Sequence, residues 1–214
     1  MQMKQEALMK RSIVRGLAPL AAVLLLLTAT ACGGGGGNVP GGGGGGGLAA
    51  VFTAGNPSPG ANSITMAPGA ANNATFEVII NMTDVMDFFG TGFRVTFDPA
   101  EAQFQSFDDS GSWLQTLTLG MGVTVNVNAV VDPNDAGTVF VNATLQGQSA
   151  GFDLTGTQEL LSLTFVALTA TAGNNFSFDV AGTRVVTTCA DAINPCTDLA
   201  DGSLTWSGGT LTAN

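Results

Sequence analysis

The side chains able to do chemistry in this chain are carboxylates, amides and a few large aromatic rings, since its 214 residues include no His and no Tyr. Histidine is the commonest general base and the commonest zinc ligand, so its absence removes imidazole chemistry altogether. Carboxylate pairs remain, such as Asp108 with Asp109 or Asp84 with Asp87. An acid and a base acting on a glycosidic bond flank it from opposite sides, roughly 5 to 10 Å apart, which neighbours on one loop seldom achieve. The chain is therefore expected not to be an enzyme. Oxygen ligands also cluster in Asp132-Pro133-Asn134-Asp135 and from Asp198 to Asp201. A calcium-binding EF-hand loop needs ligands at alternate positions and a closing Glu. Ala136 falls on one ligand position of the first cluster and no Glu closes it, so both read as Asx-rich turns, with no metal or cofactor implied. Phe88, Phe89 and Trp113 lie in segments that read as exposed loops. Rings placed there could stack on sugars, or fold back over the edge of a core.

Three cysteines carry the remaining chemistry, and the first is set in an export signal. Lys4, Lys10, Arg11 and Arg15 form a basic start, followed by an apolar stretch from Leu17 to Leu27. That stretch has the length of a signal-peptide core and is too short to span a bilayer. The sequence Thr28-Ala29-Thr30-Ala31-Cys32 then resembles the lipobox at which lipoprotein signals are cut and the new terminal Cys is acylated. Residues 1–31 are thus expected to be removed and Cys32 to carry lipid, anchoring an exported protein to a membrane, with the outer membrane or cell surface favoured. Each buried acyl methylene contributes about 0.8 kcal/mol to such an anchor. In an oxidising compartment Cys189 and Cys196 are expected to form a disulfide, which would stabilise by roughly 2 to 3 kcal/mol on a chain-entropy argument. A metal site is the rival reading, but two thiols without His leave zinc short of ligands.

Loss of the signal leaves Arg94 and Arg184 against 15 carboxylates, so the mature net charge is 2 minus 15, or −13. A surface of that sign has few Lys or Arg with which to displace counterions from phosphate, and nucleic acid is excluded as a partner. Residues 32–48 are almost pure glycine and are expected to act as a tether, with a root-mean-square span of roughly 20 Å as a flexible coil. Residues 49–214 are enough for one domain with a core.

Within that domain the elements read as strands. In TFEVIINM, Phe76, Val78, Ile80 and Met82 alternate with Thr75, Glu77 and Asn81. GFRVTFD sets Phe93, Val95 and Phe97 against Arg94 and Thr96, and VTVNVNAVV sets Val123, Val125 and Val127 against Thr124, Asn126 and Asn128. TVFVNATLQ, LLSLTFVAL, NFSFDV and SLTWS continue the alternation, with Trp206 on the inward register beside Leu204. Turn clusters DPNDAG, TAGNN and ADG separate them, and no stretch of helical period competes. One apolar face per strand calls for a second sheet to cover it, which predicts an all-β, two-sheet antiparallel β-sandwich of about nine strands.

The order of these segments carries a resemblance. ATFEVIINMTDV, GFRVTFDPAEAQFQSF, two polar-faced strands, GTQELLSLTFVALT, NFSFDVAG and a closing DGSLTW together resemble the cohesin domain, a jelly-roll sandwich that binds dockerin modules in cellulosomes. The sharpest elements are the Phe97-Asp98-Pro99 turn and the run through Gly156, Leu160, Leu163 and Phe165. The resemblance implies jelly-roll topology, an exported dockerin-like protein partner, and a binding face including Arg94, Thr96, Asn126, Asn128, Phe140 and Asn142. Gly90 and Gly92 stand where dockerin-binding members offer Asn and Asp. Polysaccharide is the alternative ligand, with Phe88, Phe89 and Trp113 as the sugar-stacking residues.

Overall fold

The computed structural model describes residues 47–146, 151–187 and 203–214. Cys32, Cys189 and Cys196, and with them the expected lipid and disulfide, lie outside the described residues. All strands belong to one compact unit, Gly44–Asn214.

The chain forms β1 (Ala50–Ala54), β2 (Ser63–Asn72), β3 (Thr75–Thr83), β4 (Phe88–Thr96), β5 (Ala102–Asp108), α1 (Trp113–Met121), β6 (Thr124–Asp132), β7 (Asp135–Gln146), β8 (Thr157–Ala167), β9 (Thr171–Thr187), β10 (Thr205–Ser207) and β11 (Gly209–Ala213). A six-stranded sheet in the order β1-β11-β9-β4-β7-β6 faces a five-stranded sheet in the order β10-β2-β3-β8-β5. The pairings are antiparallel except for β10 with β2, which is parallel. The sandwich expected from the alternation is present, with eleven strands among the described residues rather than about nine. Short edge strands account for the difference: β1 and β10 have five and three residues, too few for a pattern to show.

The alternation works because it sends one apolar set inward from each sheet. Phe76, Val78, Ile80 and Met82 of β3 pair in register with Phe165, Leu163 and Leu161 of β8 and Met66 and Ile64 of β2. Phe52, Phe76, Phe97, Phe165 and Phe176 meet in one aromatic cluster between the sheets, mostly edge to face at 5.0 to 5.9 Å. Such contacts contribute about 0.5–1.5 kcal/mol each beyond burial. Tight turns hold the register: Asn73 sits at φ 53 in the two-residue link between β2 and β3, a conformation Asn tolerates better than most side chains.

The chain passes between the sheets repeatedly, and two of these crossings are held by specific contacts. At the first, the chain leaves β4 through Phe97-Asp98-Pro99. Asn174, only 3% exposed, clamps this turn by accepting from the Asp98 N–H at 3.0 Å and donating to the Asp98 carbonyl at 3.1 Å. At the second, the chain passes from β10 to β11 through Gly208 alone. A Cβ there would collide with the Phe176 carbonyl oxygen, and one on Gly209 would collide with the Phe52 ring.

One helix stands where none was expected. Ser112 caps it by accepting from the Leu114 N–H at 3.2 Å, Leu114 and Leu117 enter the core, and Gly122 closes it at φ 67. The signals were a serine and a glycine bracketing two leucines three apart. Nine residues with interspersed Thr hid that period among the strands. No helix of the described residues is long and apolar enough to cross a membrane.

Candidate interaction face

The outer face of β9, β4, β7 and β6 collects the residues expected there. From Gly90 onward, past the bulge that follows Phe88, even positions of β4 point outward because Phe93 and Val95 point in, and the register carries that parity across the sheet. One row runs Asp179, Arg94, Phe140, Val130 from β9 to β6. A second aligns Gly92 with Asn142 and Asn128, and a third aligns Gly90 with Thr144 and Asn126. Thr96 is opposite Ser177, with their hydroxyls 3.1 Å apart.

Arg94 is the best-defined side chain of this face. Its Nη1 donates to Asp179 Oδ2 at 3.3 Å and to the Ala181 carbonyl at 3.1 Å, while the guanidinium carbon lies 4.8 Å from the centre of the Phe140 ring. The Arg94 and Asp179 side chains remain 39% and 37% exposed, so the ion pair is screened and adds little stability. Its effect is to hold a planar donor against an aromatic ring at low entropic cost to a later contact. Asn126, Asn128 and Asn142 are exposed around it, and Val130 is 47% exposed beside Phe140. Gly90 and Gly92 leave the centre of the rows without side chains. A Cβ on Gly92 would meet nothing nearer than 3.9 Å, whereas one on Gly90 would press on Thr144. The face offers hydrogen-bond donors, acceptors and an apolar anchor.

Val130 and Asp179 were missed in the sequence. Asp179 follows Ser177 by two, so period 2 alone put it on this face; its pairing with Arg94 depends on β9 lying beside β4, which no local pattern reports.

The aromatic alternative is placed differently. Phe88 is no loop residue but the first of β4; it is fully buried, and it meets Trp113 edge to face at 5.9 Å. Phe89 is half-buried at a bulge in the β4 and β9 pairing, and Trp113 is half-buried in the first turn of α1. The reading of these segments as exposed loops is therefore corrected at Phe88, which folds back under Trp113 and offers no ring to a sugar. Trp206 packs against Phe93 and Phe178 at 5.9 and 5.1 Å, in the inward position expected for it. The Asp132 to Asp135 cluster is a hairpin turn. Asp132 accepts from the Asn134 N–H, and Asp135 accepts from the Gly137 N–H and the Thr138 hydroxyl. Those two bonds, the hydroxyl first, hold the Asp135 carboxyl below its ordinary range.

The chain is similar to cohesin modules. A cohesin module from a family 33 glycoside hydrolase of Clostridium perfringens matches at 8% identity over 77% of this chain and 95% of that one, with a TM-score of 0.45. The second type II cohesin module of an adaptor scaffoldin of Acetivibrio cellulolyticus matches at 13% identity over 69% and 87%, with a TM-score of 0.48. A type II cohesin domain from the cellulosome of the same organism matches at 15% identity over 70% and 93%, with a TM-score of 0.46. No family model matches the sequence, and no curated protein does.

Proposed function

We propose that this chain is a non-catalytic protein-interaction module, held outside the cytoplasm by lipid on Cys32, which docks an exported protein through the outer face of β9, β4, β7 and β6. The observation that carries the docking surface is the Arg94, Phe140 and Asp179 arrangement, a braced cation and ring within an amide-rich face. Anchors of this kind, aromatic and Arg side chains surrounded by neutral contacts, supply most of the energy in protein interfaces. The sequence resemblance to cohesins supports a dockerin-like partner, although Gly90 and Gly92 mean that recognition would use Asn142, Asn128 and Arg94 in place of third-strand amides and carboxylates.

The test is a binding titration against the exported proteins of the same organism, followed by purification of any saturable ligand. Phe140→Ala and Asn126→Ala weaken it, while Glu77→Gln on the opposite sheet does not. Recovery of no saturable protein ligand, or equal binding by all three variants, overturns the docking surface. The anchor is tested separately by labelling with a radioactive fatty acid, which Cys32→Ser abolishes.

A further inference from the structure

Four strands terminate the two sheets, and three of them carry features that discourage pairing with another chain. β1 and β10 are only five and three residues long, and β5 is broken by a bulge between Phe104 and Ser106. β6 differs. Among the described residues its nine residues pair with β7 alone, in unbroken register from Thr124 to Val131, with the irregularity delayed to Asp132. It contains no Pro and no charge before Asp132, and Thr124, Val125, Val127, Val130 and Val131 are β-branched. An edge strand presents a row of unpaired N–H and C=O groups, which proteins blunt by shortness, charge, Pro or bulges. β6 lacks each of these along eight of its nine residues.

We propose that β6 is a self-association edge, to which a second copy of this chain adds its own β6 antiparallel about a two-fold axis. Charge favours this occupant at this place. From residue 33 on, the chain carries 15 carboxylates against two arginines, so most surfaces repel a second copy, whereas Thr124 to Val131 is uncharged. Full overlap of the nine residues centres the pair on Asn128. Asn128 is then opposite Asn128, Val125 opposite Val131, and Asp132 opposite Thr124, so no like charges meet. An amide both donates and accepts, which makes Asn128 its own complement. The contact is isologous and closes at two copies, joining both six-stranded sheets into one. It does not depend on the docking reading above, since it uses the backbone edge of β6 and not the ring and guanidinium of the face.

Sedimentation of Gly44–Asn214, the unit that holds every strand, tests it from micromolar to millimolar concentration. The expected result is a monomer–dimer equilibrium. Asn128→Lys sets two ammonium groups opposite each other and weakens the dimer at least about tenfold, with an unchanged circular dichroism spectrum. Asn128→Cys gives an oxidised covalent dimer that the parent chain does not, because facing Cα atoms about 4.5–5.5 Å apart suit a disulfide. A monomer at every concentration overturns the proposal and leaves the edge to an extended strand of another protein. A dimer that Asn128→Lys leaves intact overturns it equally.

Discussion

The two outer faces of the sandwich are built from the same alternating strands and differ in what they do with charge. On the six-stranded side, Arg94 and Asp179 pair with each other, and the surrounding positions include Asn126, Asn128, Asn142, Thr96 and Phe140. On the five-stranded side, Glu77, Asp108 and Glu159 share one surface with no cation among them. Burial, and then the charges of Asp108 and Glu77, push the Glu159 carboxyl above its ordinary range. The difference teaches which face is fit for docking. A protein that covered the second face would have to desolvate like charges, whereas on the first the charges of Arg94 and Asp179 are already opposed to each other.

The comparison depends on both sheets staying locked at their crossings, and breaking a crossing should have the largest effect. Gly208→Ala forces a Cβ into the Phe176 carbonyl and should cost about 3 kcal/mol or more, read as a fall in the urea midpoint, with both faces lost together. Asn174→Ala strips both bonds from the Asp98 turn and should cost about 1–3 kcal/mol in the same measurement. The faces themselves separate next. Phe140→Ala should weaken the partner by roughly tenfold or more while leaving the urea midpoint nearly unchanged. Arg94→Gln should move stability by no more than about 0.5 kcal/mol, because its ion pair is exposed. An equally large effect of Phe140→Ala and Glu77→Gln on binding would erase the distinction between the faces.

Glu159→Gln should have the smallest effect and sharpens the same contrast through pH. Its folded pKa is raised, so the folded chain takes up a proton more readily than the unfolded one. Its favourable contribution is therefore present at acid pH and lost as pH rises through the carboxylate range to the raised value. Glu159→Gln should raise the thermal midpoint near neutral pH and flatten its decline as pH rises through and above the ordinary carboxylate range. A variant whose pH profile matches the parent would show that the second face does not store this repulsion.

Most of the outward set of the docking face was legible, since Arg94, Thr96, Asn126, Asn128, Phe140 and Asn142 follow from period 2 once Phe93, Val125 and Val141 point inward. Phe88 misled because its neighbours Met86 and Asp87 read as a loop. Only the strand register shows that β4 starts there, and only α1 supplies Trp113 to pack against it. Asn174 looked like one more turn residue in TAGNN. Its burial against Asp98 joins positions 76 residues apart, a separation that no window of sequence can see.

By itself the sequence determined the fold class, the acidic balance, the absence of imidazole and the parity of each strand, because these depend on composition and on a backbone that alternates its side chains. It carried the elements of a jelly roll in order. The tertiary structure alone decided which strands are neighbours, and so placed Asp179 and Phe140 on either side of Arg94, put Asn174 under the Asp98 turn and left β6 at the end of a sheet. Those are properties of pairing between distant segments, set by how two apolar faces close over each other.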